Sequence, residues 1–165
     1  MELYFLRHGI AVEPNEWGMR PDSERPLTEE GVAKFKKAAL GMAKMKLEFD
    51  RVLSSPYVRA LETARLALKG LDSDCKIETT PALEPDADYA DFLKLLPKTP
   101  SKEKWLFVGH QPSIGEFTAR LFTGKVVSID FKKGALARVD ADPSAGGYAG
   151  TLAWLLTQRQ LRALA

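Results

Sequence analysis

Short apolar runs, each followed by a segment of helical period, restrict this chain more than any other feature does. "ELYFL" (2–6), "RVLSS" (51–55) and "KWLFVG" (104–109) carry almost no polar alternation, as strands buried on both faces do. "CKIETT" (75–80) reads as another short strand. Between them, "TEEGVAKFKKAALGMAKMK" (28–46) has helical spacing, with Thr28 as N-cap and Glu29 and Glu30 at the positive end of the dipole. Val32, Phe35, Ala39, Met42 and Met45 mark its buried face, the methionines as core filling. Ser55 reads as the cap, and Pro56 as the first turn, of a helix running to about Lys69. An acidic loop and a helix occupy 83–96, and Pro112 opens the helix "SIGEFTARLF". The first run is followed by a polar loop containing Pro14, Gly18, Pro21 and Pro26. "GALARVD" (134–140) and "GTLAWLLTQ" (150–158) are the last strands, joined by a turn at "DPSAGG".

This alternation predicts an α/β fold of three αβα layers. The central sheet is mostly parallel, with helices on both faces and an antiparallel edge from the last two strands. No repeat or linker interrupts it, so residues 1–165 are expected to form a single domain. The 24 Lys and Arg nearly balance 22 Asp and Glu, and no basic stripe appears, which argues against a nucleic-acid partner. No apolar segment is long enough for a bilayer, and the first strand begins where a signal peptide would lie. The lone Cys75 cannot form an internal disulfide, so a cytoplasmic protein is expected. With only His8 and His110 in the chain, a His-built metal site is not expected, and neither is a cofactor.

The unusual residues gather at three strand-to-helix junctions: "FLRHG" (5–9), "LSSPYVRALETA" (53–64) and "LFVGHQPSIG" (106–115). Ligands of open α/β sheets sit beyond the carboxyl ends of the strands. Parallel neighbouring strands would therefore turn Arg7, His8, Arg59 and His110 toward one crevice. Two lone histidines are often merely structural, but here each stands beside a glycine at such a junction. Guanidinium forks match phosphate oxygens, helix N-termini favour anions, and Gly9 and Gly109 would let backbone approach a ligand. A phosphate pocket could only bind; with no obvious Ser or Cys nucleophile motif, an imidazole could instead attack phosphorus.

The "RHG" at 7–9 resembles the signature of the histidine phosphatase superfamily, the phosphoglycerate-mutase-like proteins. "RPLTEEG" (25–31), "SSPYVRALETA" (54–64) and "VGHQPSIGEF" (108–117) follow in the superfamily's order. "RPLT", "GHQP" and the short chain resemble most its small signal-inhibitory phosphohistidine phosphatase branch. The resemblance implies a metal-independent phosphatase in which His8 is the nucleophile, Arg7 and Arg59 hold the phosphoryl oxygens, and His110, where protonated, adds a third donor. It implies a phosphorylated protein, such as a histidine phosphotransfer domain, as partner. Arg25 is either a phosphate contact or buried pair near the site, or a loop arginine positioning the helix after Thr28. Ser54 and Ser55 are possible donors, though capping accounts for Ser55; Arg20 reads as surface.

In other branches a carboxylate protonates the leaving alkoxide. Its place falls at "ALEPDAD", with Glu84 as candidate general acid and Asp86 and Asp88 as rivals; a solvated acidic loop is the alternative. A phosphohistidine needs such an acid less, because its P–N bond is already activated. Ile10 and Ala11 stand where mutase-like relatives carry polar residues, which favours a shallow site reading a phosphorylated side chain. A phosphatase of a small phosphomonoester using Glu84, and a non-catalytic phosphate-binding regulatory module, are the alternatives.

Overall fold

A computed structural model of the chain describes residues 1–145 and 147–165. Along it run β1 (Glu2–Arg7), α1 (Pro14–Trp17), α2 (Glu29–Lys44), β2 (Arg51–Ser54), α3 (Val58–Gly70), β3 (Ile77–Thr79) and α4 (Tyr89–Leu95). β4 (Lys104–Gly109), α5 (Ser113–Thr123), β5 (Leu136–Ser144), β6 (Gly147–Leu156) and α6 (Gln158–Ala163) complete the order, with 3-10 turns at Asp22–Glu24 and Pro81–Leu83. Among the described residues the strands form one sheet in the order β3-β2-β4-β1-β5-β6. The first four are parallel, and β5 and β6 add the antiparallel edge.

Both faces of the central strands are covered, which is why their sequences lack polar alternation. Leu3 and Phe5 of β1 and Trp105 and Phe107 of β4 pack on one face against Phe92 of α4 and Ile114, Phe117 and Leu121 of α5. Tyr4, Leu6, Leu106 and Val108 face the other way, under Phe35 and Met42 of α2, Ala60 and Ala64 of α3 and Leu161 of α6. Ring centroids lie 5.4 Å apart for Phe5–Phe107 and 4.9 Å for Phe92–Phe117. Such pairs add about 0.5–1.5 kcal/mol each beyond burial. This stack holds α4 and α5, and with α5 the His110 junction, against the strand ends.

Thr28 caps α2 by accepting the Gly31 N–H at 2.9 Å. The helix buries Phe35, Ala38, Ala39 and Met42, while Val32 and Met45 are only half-buried. A Cβ on Gly31 would stand 2.0 Å from the Ile10 carbonyl oxygen, so only glycine lets this helix seat on the loop after β1.

Four expectations need correction. Ser55 and Pro56 do not start α3, which begins at Val58 after Tyr57 with no side-chain cap; Ser55 is engaged elsewhere. β3 is three residues long, shorter than 75–80. The polar loop after β1 contains α1 and a 3-10 turn. In the expected turn at "DPSAGG", Asp142, Pro143 and Ser144 continue β5, and Gly146 lies outside the described residues. Pro143 is tolerated there because Ala141 N–H already bonds the Met1 carbonyl. Two residues on, the missing N–H falls beyond the end of β1, where no ladder bond is lost. The terminal helix α6 was not expected, though its signal is present: Thr157 and Gln160 make a capping box.

Candidate active site

The strand order decides the site. β2, β4 and β1 are consecutive, so their three carboxyl-end junctions are neighbours. Ladder bonding continues past the strands, with His8 N–H on Gly109 O at 3.0 Å and Ser55 N–H on Val108 O at 2.9 Å. Thr63 of α3 accepts the Gly9 N–H at 3.0 Å and donates to the Arg59 carbonyl at 2.7 Å, tying the first junction to the second. Gly109 owes its identity to packing: a Cβ there would lie 3.0 Å from the Leu83 carbonyl oxygen and 3.2 Å from Ile114. At Gly9 a Cβ would meet Leu27 at an ordinary 3.4 Å.

His8 is buried, and its Nδ1 lies 2.7 Å from its neighbour's carbonyl, Gly9 O. A carbonyl only accepts, so Nδ1 carries the proton and Nε2 keeps its lone pair. Burial drives the His8 pKa down to about 3, against the opposing Gly9 hydrogen bond and with help from the Arg59, Arg7 and Arg25 charges. The ring is therefore uncharged at neutral pH, with the Nε2 lone pair not engaged in a hydrogen bond.

His110 is held differently. Its Nε2 is 2.9 Å from Ser55 Oγ, which already accepts the Tyr57 N–H at 3.3 Å. The Ser55 hydroxyl has no other acceptor among the described residues, so its hydrogen is assigned to Nε2 and the proton of the neutral ring to Nδ1. Burial first, then His8 and the arginines, push its pKa down to about 2. His110 is neutral here rather than protonated, and its Nδ1–H is the available donor. The His8 and His110 ring centroids are 5.0 Å apart, with Tyr57 edge-on to His110 at 5.1 Å. Ser54 donates to the Ser55 carbonyl at 2.9 Å.

Arg7 gives Nη1 to the Phe131 carbonyl at 2.8 Å. Arg59 gives Nη1 to the Asp22 carbonyl at 2.7 Å and Nη2 to Asp22 Oδ2 at 2.9 Å. Arg25 gives Nε to Asp22 Oδ1 at 2.8 Å and Nη1 to the Val12 carbonyl at 2.7 Å, so it is a buried arginine paired with a half-exposed carboxylate. Asp22 was missed in the sequence, although its three-residue spacing from Arg25 was visible there. Arg20, as expected, is an exposed residue, lying 3.6 Å over the Trp17 ring.

Among the described residues six buried side-chain nitrogens have no partner; Arg120 Nε, Gln158 Nε2 and Arg162 Nε lie elsewhere, and Arg7 Nε, Arg59 Nε and His110 Nδ1 belong to this site. A buried donor without an acceptor costs about 1–3 kcal/mol, so these three nitrogens are suited to acceptor oxygens of a ligand. A tetrahedral oxyanion presents oxygens on three sides, which matches this set.

Glu84 lies outside this ring. It shares a cavity of about 270 Å³ with Tyr57, Asp86, Asp88 and Asp91, and Tyr57 is the wall common to cavity and site. Ser113 fixes its backbone by donating to Glu84 O at 3.0 Å. Asp88 spends its carboxylate capping α4 and Asp86 is exposed, whereas Glu84 is half-buried. Among the described residues no three His, Cys, Asp or Glu side chains gather to hold a metal ion, and no helix is long and apolar enough to cross a membrane.

Two uncharged imidazoles among buried guanidiniums, at the carboxyl edge of parallel strands, define a class of α/β protein built to handle phosphoryl groups. The model of the histidine phosphatase superfamily (branch 1) matches residues 3–92, and the chain belongs to that superfamily. It is 29% identical over 165 residues to the phosphohistidine phosphatase SixA of Escherichia coli, covering 98% of this chain and 97% of that one. An uncharacterized protein of Picosynechococcus is 33% identical over 127 residues, 76% of this chain and 75% of its own. A solved structure of the protein histidine phosphatase SixA complexed with tungstate superposes with a TM-score of 0.80 at 30% identity, covering 98% and 99%. The SixA-like branch is therefore where this chain falls, and the fold is phosphoglycerate-mutase-like.

Proposed function

We propose that the protein removes phosphate from phosphohistidine carried on a protein, through a covalent phospho-His8 intermediate. The three partnerless donors Arg7 Nε, Arg59 Nε and His110 Nδ1 around an uncharged His8 carry this reading, and the likeness to SixA supports it.

His8 Nε2 attacks phosphorus in line; the substrate P–N bond breaks, and its electron pair goes to the departing imidazole, which takes a proton from solvent. Water then attacks phospho-His8, releasing inorganic phosphate and restoring the ring. Arg7, Arg59 and His110 stabilise the charge on the three equatorial oxygens, the main task in phosphoryl transfer. The guanidiniums supply that positive charge, so the proposed reaction is metal-independent. Ile10 and Ala11 offer no polar side chain to a small substrate, which favours one whose contacts come from a protein surface, as on a histidine phosphotransfer domain. A free thiol at Cys75 fits a reducing cytoplasm.

The test is brief exposure to a phosphotransfer domain phosphorylated on histidine, with chelator present. Phosphate trapped on His8, and loss of hydrolysis in His8→Ala, are expected. Turnover that needs added metal, or that survives His8→Ala, overturns the mechanism. One observation favours a second reading, hydrolysis of a small phosphomonoester with Glu84 as general acid: Glu84 and the site share the Tyr57 wall.

A further inference from the structure

The 3-10 turn Asp22–Glu24 joins no strand to a helix, yet its first residue touches two of the three site arginines. Asp22 accepts the whole Nη edge of Arg59, with its carbonyl on Nη1 at 2.7 Å and Oδ2 on Nη2 at 2.9 Å. Its other carboxylate oxygen takes Arg25 Nε at 2.8 Å. The Arg59 side chain is 3% exposed and that of Asp22 50%, so the carboxylate braces the buried guanidinium from the solvent side.

From this we infer that Asp22 is the positioning residue of the phosphate clamp, holding Arg59 with its Nε–H turned free for a phosphoryl oxygen. The inference rests on the phosphoryl-transfer reading above and adds the group that sets the clamp's geometry. A guanidinium has an Nη edge and an Nε edge; occupying the first orients the second. The bidentate hold on Arg59 is fork-like and directional, so rotation about the terminal bonds would break two charge-assisted hydrogen bonds at once.

Charge makes the same point. Arg59 and Arg25 repel one another, and burial already disfavours the Arg59 charge. One carboxylate shared between them lets both stay beside two uncharged histidines. Partial burial alone would raise the Asp22 pKa, but the hydrogen bonds and charges of Arg25 and Arg59 outweigh it and hold it below the ordinary carboxylate value. Asp22 is therefore held as the carboxylate between the two guanidiniums.

Asp22→Asn keeps the shape but removes the charge, and turns an NH2 toward one of two guanidiniums that can only donate. Hydrolysis of a histidine-phosphorylated phosphotransfer domain should lose on the order of 10²-fold in kcat, the scale of an ångström of misplacement. Affinity for tungstate, a phosphate-like oxyanion, should weaken about tenfold. Asp22→Glu, which keeps the charge, should lose less on both measures. A merely structural role would not produce the decisive result, a double-mutant cycle: Asp22→Asn combined with Arg59→Ala should be no slower than Arg59→Ala alone, because Asp22 acts through Arg59. Wild-type kcat and tungstate affinity in Asp22→Asn, or losses that multiply in the cycle, overturn the inference. Should Asp22→Asn not fold, Asp22→Glu decides in the same cycle: its loss must vanish when Arg59 is absent. A wild-type chain that binds no tungstate fails the phosphoryl reading itself and is distinguished by that result.

Discussion

Both histidines are buried uncharged, and this ties the stability of the fold to pH in a way that can be measured one ring at a time. The native pKa values are about 3 for His8 and about 2 for His110, against an unfolded value of about 6.5. Between those limits the unfolded chain binds protons that the native chain refuses, so stability falls as pH falls. For a ring that stays neutral in the native state, going from about pH 7 to about pH 5 costs about 2 kcal/mol. The two rings together cost about 4 kcal/mol, a large part of the roughly 5–15 kcal/mol that holds a domain folded. The exposed carboxylates Glu13, Glu30 and Glu78 are held below their ordinary value by Lys133, Lys34 and Arg51, so they contribute little between about pH 5 and about pH 7. The assay is urea unfolding at both pH values, for the wild type and for His110→Gln, which keeps polarity without titrating. The wild type should lose about 4 kcal/mol and the variant about 2 kcal/mol, at unchanged denaturant slope. An equal loss in both proteins would refute the claim that His110 is held neutral by burial. In the same range kcat/KM should show no limb from protonation of His8.

Two further outcomes follow from the contacts. Glu84→Gln should sharply reduce hydrolysis of a chromogenic phosphomonoester while phosphohistidine hydrolysis falls little; steady-state rates on both substrates check this, and the reverse pattern refutes the leaving-group argument. Thr63→Val removes the acceptor of the Gly9 N–H and the donor to Arg59 O. It should cost about 1–3 kcal/mol in chemical unfolding and slow turnover by loosening the first junction from the second.

What the sequence determined alone is whatever rests on near neighbours. Unbroken apolar runs between helical segments foretold layers of sheet and helix, because strands buried on both faces have no polar side to show. Thr28 and Glu29 marked a helix start from three residues' worth of chemistry. The order of four short motifs marked the superfamily and pointed to Arg7, His8, Arg59 and His110. Ser55 shows the limit: its local surroundings read as a cap, yet its hydroxyl goes to His110, 55 residues away. Asp22 shows it again, since its partner Arg59 lies 37 residues on. Only the tertiary structure decided that β2, β4 and β1 are adjacent, that Nδ1 is the proton-bearing nitrogen of His8, and that three donors are left unpaired together. Those facts depend on which groups meet after the chain has folded, and on the water that folding removes from around them.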